Sequence, residues 1–276
     1  MSTETSHDRY VVIGNPVDHS RSPRIHKLFA AQLGVLMQYE KMLVPLGGLA
    51  QALTAFAEQG GSGANITIPF KRDACRLVDT LSPRARRADA VNTVSIDSDG
   101  VYGDNTDGIG LTRDLTGNLD WLLAGQNILL IGAGGAACGV IESLLAGGPA
   151  HLTVANRTVA KAQYLAARFA DFGNVDAATF PELAGISYQL VINATSASLS
   201  AERPAVPDNI VTRATRCYDL MYASQPTPFM RWALQQGAMA VSDGLGMLVE
   251  QAGESFKIWR GIRPDTRSVI AELRQG

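Results

Sequence analysis

Gly132, Ala133, Gly134, Gly135 and Ala136 follow an apolar run at 128–131 and open a stretch with Val140, Ile141, Leu144 and Leu145 at helical spacing. A strand, a glycine turn and a helix in that order build an anion site out of backbone alone. Gly132 permits the tight turn, Gly134 lets the chain approach a pyrophosphate, and the helix start aims unpaired N–H groups and its positive dipole end at the anion. Ala137 fills the last position of the G-x-G-x-x-G pattern, which tolerates it. A second apolar run at 152–155 completes a βαβ unit, so the turn reads as a dinucleotide site.

The residues after that second run select the dinucleotide. A carboxylate there would hydrogen-bond a ribose 2′-hydroxyl and favour NAD. This chain has Asn156, Arg157 and Thr158 instead, with Lys161 one turn on and no carboxylate from 152 to 161. Arg157 can stack on adenine and pair with a 2′-phosphate, which favours NADP. Thr158 also suits a helix N-cap, because Ala162, Leu165, Ala166 and Phe169 follow at helical spacing.

A second group of reactive side chains lies in the first third. Ser22-Pro23 is a good helix start, with Ser22 as N-cap and Pro23 at the first helical position, while Ser20 has no such structural task. Two hydroxyls flanking a strand-to-helix turn can instead hold a carboxylate or a polyol. Lys71 follows Asn65-Ile66-Thr67-Ile68-Pro69-Phe70, whose alternation predicts a strand ended by Pro69. That puts Lys71 beyond a strand's C-terminal end, where α/β sheets gather ligands, although a solvated lysine opening a helix fits as well. Asp107 caps a helix or pairs with a partner, and Asp104 serves a turn.

The elements that position these residues alternate between strand and helix. Strands are expected at 10–13, 39–44, 65–68, 91–96, 101–102, 128–131, 152–155, 190–192, 217–222 and 238–241, and residues 1–9 are expected to fray. Asp99-Gly100 suits a hairpin turn, and Thr227-Pro228 opens a helix. The small polar residues Asn193, Thr195 and Ser196 follow a buried strand and either face a cofactor or turn the chain. Gln251 sits among apolar residues of a late helix and needs a partner if buried.

Composition narrows the class. With 276 residues, 46% of them hydrophobic, and a net charge of −2, the chain suits a globular protein of one or two domains and carries no mark of a nucleic-acid or membrane binder. The polar N-terminus lacks a signal-peptide core. Cys75, Cys138 and Cys217 fit reduced thiols in a cytoplasm, and the four histidines have no metal-ligand spacing, so no metal is expected.

Taken in order, the motifs resemble the shikimate dehydrogenase family over nearly the whole chain. They are His19-Ser20-Arg21-Ser22-Pro23, Asn65-Ile66-Thr67-Ile68-Pro69-Phe70-Lys71, Ala90-Val91-Asn92-Thr93, Asn105-Thr106-Asp107-Gly108, the glycine turn, Asn156-Arg157-Thr158, Asn193-Ala194-Thr195-Ser196, Asp219-Leu220-Met221-Tyr222 and Gly246-Met247-Leu248-Val249 with Gln251. One departure is Ser198, where the family usually has glycine.

The resemblance implies an α/β protein of two domains. A substrate domain of residues 1–107 plus 247–276 is completed by the C-terminal helices, and a Rossmann NADP domain spans 108–246. It implies reversible NADPH-dependent reduction of 3-dehydroshikimate to shikimate, in a cytoplasmic monomer or homodimer, with Lys71 and Asp107 as the catalytic pair. Ser20, Ser22, Thr67, Asn92, Asp107, Tyr222 and Gln251 would line the substrate site. Gly132, Ala133, Gly134, Gly135, Ala136, Asn156, Arg157, Thr158, Met221 and Gly244 would contact NADP, joined by Lys161 and Thr195. A quinate/shikimate dehydrogenase using NAD or NADP, and a non-catalytic NADP sensor, are the competing readings. The first would be expected to carry an acidic residue near Asn156, and the second is disfavoured by the retained Lys71 and Asp107.

Overall fold

The computed structural model describes residues 8–195, 197 and 202–275. They divide into two separately packed units, Met1–Gly110 with Val249–Gly276, and Leu111–Leu248.

The first unit runs β1 (Asp8–Gly14), α1 (Ser22–Leu33), β2 (Met37–Leu43), α2 (Leu49–Glu58), β3 (Gly61–Ile66), α3 (Lys71–Leu77), β4 (Thr80–Leu81), α4 (Pro83–Ala88), β5 (Thr93–Asp97) and β6 (Gly100–Asp104). A further helix, α5 (Asp107–Arg113), passes into a π-helical turn at Asp114–Asn118. The sheet order is β2-β1-β3-β5-β6-β4. β2, β1 and β3 are parallel, while the Asp99-Gly100 turn makes β5 and β6 an antiparallel hairpin.

The second unit runs β7 (Asn127–Ile131), α6 (Gly135–Ala146), β8 (His151–Ala155), α7 (Val159–Phe169), β9 (Val175–Ala178), β10 (Leu190–Asn193), β11 (Arg216–Asp219), α8 (Pro228–Gln235) and β12 (Ala240–Ser242). Its sheet is parallel throughout, in the order β12-β11-β10-β7-β8-β9. Read from β9, that is the 3-2-1-4-5-6 order of a doubly wound dinucleotide fold, with the topological switch between β7 and β10. Residues 128–131 are buried without alternation because helices cover both faces of such a sheet.

Two last helices, α9 (Leu245–Arg260) and α10 (Thr266–Gln275), end the chain. Strand alternation in β1 shows how α9 joins the first sheet. Val11 and Ile13 pack with Leu49, Leu53 and Phe56 of α2 on one face. Tyr10 points the other way and stacks on Trp259 of α9, ring centroids 4.5 Å apart. The Trp259 indole N–H donates to the Val94 carbonyl at 2.9 Å.

Several sequence expectations shift. β1 starts at Asp8, which pairs with Arg260, so the expected fraying does not reach residues 8 and 9; residues 1–7 lie outside the described residues. The strand expected at 65–68 is instead β3, ending at Ile66, and Ile68 is 67% exposed. β11 ends at Asp219, so residues 220–222 form a loop rather than strand. β9 was not foreseen. Asp104 does more than serve a turn: it takes a two-pronged ion pair from Arg84 at 2.6 and 2.7 Å and the Ser82 hydroxyl, which neutralises a buried carboxylate.

Candidate active site

In the first unit the residues named from sequence converge around one carboxylate. The turn after β3, closed by the Phe70 N–H on the Thr67 carbonyl, delivers Lys71 as the first residue of α3. The Lys71 carbonyl in turn accepts the Val91 N–H at 2.8 Å. Asp107 opens α5, its N–H held by the Asn105 side-chain oxygen at 3.1 Å. Lys71 Nζ donates to Asp107 Oδ2 at 2.5 Å. Their side chains are 27% and 9% exposed, so the ammonium reaches solvent while the carboxylate is nearly enclosed.

Asn92 fixes the other carboxylate oxygen. Its Nδ2 donates to Asp107 Oδ1 at 2.8 Å and to Gln251 Oε1 at 3.2 Å. Its Oδ1 accepts the Thr106 backbone N–H at 2.9 Å, a donor that cannot be reversed, so the amide has one orientation. Gln251 therefore has the partner its position demanded.

Behind Asn92 lies a buried polar layer. Thr93 donates to Asn92 Oδ1 and meets Ser255 Oγ at 2.7 Å; Asn65 donates to Ser255 Oγ at 3.0 Å and accepts the Tyr39 hydroxyl at 2.7 Å. Sequence reading missed Thr93, Thr106 and Ser255 as part of the site. Thr93 and Thr106 flank Asn92 and Asp107, and Ser255 stands four residues after Gln251 on the same helix face, so the spacing held a signal.

The capping role expected of Ser22 is not the one observed. Helix α1 begins at Ser22 itself, after Arg21, with no side-chain cap from that residue. Ser22 is buried. Ser20, which was given no structural task, accepts the Ser22 N–H at 3.3 Å. Thr67 is half-buried at the end of β3, its N–H on the Ile13 carbonyl at 2.9 Å. Lys71, Asp107, Asn92 and Gln251 are thus joined directly; Ser20 and Ser22 lie at the start of α1 and Thr67 just past β3 in the same unit, and Tyr222 belongs to the other.

In the second unit the glycine turn has the geometry that an anion requires. Gly132 has φ +111°, and a Cβ there would lie 3.1 Å from the Ala194 carbonyl, so β7 and the segment after β10 approach closely at the switch point. Gly134 and Gly135 are exposed, and a Cβ on either would meet nothing within 4 Å. Gly134 is the N-cap of α6 and offers no side chain, so the first N–H groups of the twelve-residue helix have no side-chain cap. A pyrophosphate fits such a cradle.

Around it, Asn156 donates to the Thr158 carbonyl at 2.9 Å, and Arg157, Thr158 and Lys161 are exposed past the end of β8. Thr158 occupies the N-cap position of α7, but its side chain makes no capping bond. Thr195 donates its N–H and hydroxyl to Asn193 Oδ1 at 3.1 and 2.7 Å. The Gly244 N–H donates to the Met221 carbonyl at 3.0 Å, joining those two residues. Ser196 and Ser198 lie outside the described residues.

A doubly wound sheet with an open glycine cradle, in one chain with an α/β unit that pairs a lysine with a buried aspartate, defines a nicotinamide-dinucleotide oxidoreductase. Residues 12–94 match the Shikimate dehydrogenase substrate binding domain, 116–219 match Shikimate / quinate 5-dehydrogenase, and 244–274 match the Shikimate 5'-dehydrogenase C-terminal domain. The chain belongs to the shikimate dehydrogenase family. A shikimate dehydrogenase (NADP(+)) of Alkalilimnicola ehrlichii is 53% identical over 267 residues, 97% of this chain and 98% of that protein. Among solved structures, an Ael1 enzyme from Pseudomonas putida aligns with a TM-score of 0.92 at 43% identity, covering 96% of this chain and 98% of that one. Shikimate 5-dehydrogenase from Thermus thermophilus, in complex with NADP(H) and shikimate, aligns with a TM-score of 0.87 at 31% identity over 97% and 99% of the two chains.

Proposed function

We propose that this chain catalyses the reversible NADP-dependent reduction of 3-dehydroshikimate to shikimate. The observation that carries the reading is the Lys71 ammonium held at 2.5 Å by a carboxylate whose other oxygen is already occupied by Asn92. Bound NADPH would supply the hydride. As a ketone is reduced, negative charge grows on its oxygen, and a fixed ammonium both stabilises that charge and supplies the proton. Lys71 takes that role, and Asp107 holds it in place. In the reverse direction the same amine takes the proton from the substrate hydroxyl.

Asn92, Gln251, Thr67 and Tyr222 are assigned to the substrate hydroxyls, and the Ser20 and Ser22 hydroxyls to its carboxylate. Gly132, Ala133, Gly134, Gly135 and Ala136 are assigned to the pyrophosphate; Asn156, Arg157, Thr158 and Lys161 to the adenine ribose and 2′-phosphate; and Thr195, Met221 and Gly244 to the remainder of the cofactor. Residues 1–107 with 247–276 form the substrate domain in this reading, and 108–246 the NADP domain. The reading places the protein in a cytoplasm, as a monomer or homodimer. Its support is that Cys75, Cys138 and Cys217 form no disulfide with one another.

Purified protein mixed with 3-dehydroshikimate and NADPH is expected to consume both and yield shikimate, followed by absorbance and chromatography. Unchanged 3-dehydroshikimate at high enzyme concentration would overturn the reading.

A further inference from the structure

The ends of β10 and β11 meet through a carboxylate that has no role in the chemistry above. Asn193 and Asp219 are register partners in the sheet and both are 0% exposed. Asp219 Oδ1 accepts the Asn193 Nδ2 and the Met221 backbone N–H, each at 3.1 Å. Its Oδ2 accepts the Thr227 hydroxyl at 2.6 Å. Thr227 is the N-cap of α8, and its oxygen takes the Met230 N–H at 3.2 Å. With its NH2 on the carboxylate, Asn193 must turn its oxygen outward, and that oxygen receives both donors of Thr195.

One side chain thus holds three segments: the residues after β10, the loop after β11 and the start of α8. A buried carboxylate is costly unless donors surround it, and here the donors come from the segments whose mutual position matters. We propose that Asp219 is a positioning residue that sets Thr195, through Asn193, and the Met221–Tyr222 loop at a fixed spacing for the nicotinamide cofactor. This rests on the reading above that Thr195 and Met221 contact NADP. Because Asp219 is bonded to neither Arg157 nor the glycine turn, its loss must weaken NADPH and NADH alike.

The test pairs Asp219→Ala with Asp219→Asn and titrates NADPH and NADH by fluorescence, alongside thermal unfolding and steady-state kinetics. Asp219→Ala removes all the acceptors and is expected to raise the Kd of both cofactors about tenfold or more, the scale of lost hydrogen bonds to a buried charged group. Asp219→Asn keeps one acceptor oxygen for Asn193 and Met221, and is expected to recover most of the affinity, to within about threefold. In both, the KM for NADP+ should rise while kcat at saturating cofactor stays within about threefold. If Asp219→Ala does not fold, Asp219→Ser, too short to reach Asn193 and the Met221 N–H together, takes its place: a Kd equal to wild type for both cofactors in that variant overturns the proposal. So does a folded Ala variant with unchanged Kd, or weakening confined to NADPH. The titrations need no shikimate, so a chain inactive on shikimate would defeat the proposed activity while still reading the role of Asp219.

Discussion

The two sets of functional residues are built on opposite plans. Around Lys71 and Asp107, hydrogen bonds are already made: Asn92, Thr93, Thr106 and Ser255 are buried and bonded to one another, and the carboxylate has donors on both oxygens. Around the glycine turn little is closed: Gly134, Gly135, Arg157 and Lys161 are exposed, and the helix start has no cap side chain. In the proposed reading the contrast follows from what each set would handle. A proton donor is effective only if its geometry is fixed before the reaction, because reorganisation would consume the advantage. A pyrophosphate brings its own charge and needs unpaired N–H groups with room to reach them.

This comparison can be broken in steps of decreasing size. Replacing Lys71 with alanine is expected to lower kcat about a thousandfold with a modest change in KM, since the ammonium acts on charge that develops during the reaction. A kcat within threefold of wild type would move the chemistry away from this residue and favour a sensor.

Replacing Arg157 with alanine should act on the open set only. It is expected to weaken NADP+ about tenfold more than NAD+, the scale of a lost charge-assisted contact to the 2′-phosphate. Equal weakening of both cofactors would refute that contact.

Thr93→Val tests whether the closed set is closed for a reason. It keeps the shape and removes the hydroxyl that donates to Asn92, and kcat/KM for shikimate should fall about fivefold, with Thr93→Ser restoring most of it. An unchanged value would make the layer behind Asn92 structural filling.

The last effect concerns stability rather than rate or affinity. His26 is fully buried, its ring stacked 4.2 Å from Tyr39, and neither ring nitrogen meets a hydrogen-bond partner at good geometry. Burial pushes its imidazole from 6.5 down to about 3, against a smaller upward pull from Asn65. Above pH 6.5 the folded and unfolded chains both carry it neutral. As pH falls below 6.5 the unfolded chain binds a proton that the folded chain refuses, so stability is lost at up to about 1.4 kcal/mol per pH unit. Urea unfolding between pH 7 and 5 should show this slope, and His26→Phe should flatten it; an equal slope in the variant would contradict the assignment.

How much of this the sequence disclosed depended on whether the signal was local. The β7–α6–β8 unit was legible because its apolar runs and its glycines lie close together between Asn127 and Ala155 and each has a local cause. Strand β3 was misframed because Gly61 and Gly63 carry no side chains with which to show strand alternation. They are there for close packing: a Cβ on Gly61 would lie 2.3 Å from the Phe56 ring, and one on Gly63 2.7 Å from the Trp259 indole nitrogen. Ser22 was misread as an N-cap because α1 begins one residue earlier than Ser22-Pro23 suggests, with Arg21 in the cap position. Ser255 meets Thr93 across a sequence separation of 162, which no local pattern encodes. The candidate site residues Lys71, Asp107, Asn92 and Gln251 were all named from motifs, and the structure joins them by hydrogen bonds.

The most direct measurement of the central claim is a panel of kcat/KM values for shikimate and quinate, each with NADP+ and with NAD+. The account predicts that shikimate with NADP+ exceeds every other pair by about tenfold or more, as a charge-assisted 2′-phosphate contact requires. No turnover of shikimate with either cofactor, alongside efficient oxidation of quinate with NAD+, would contradict it.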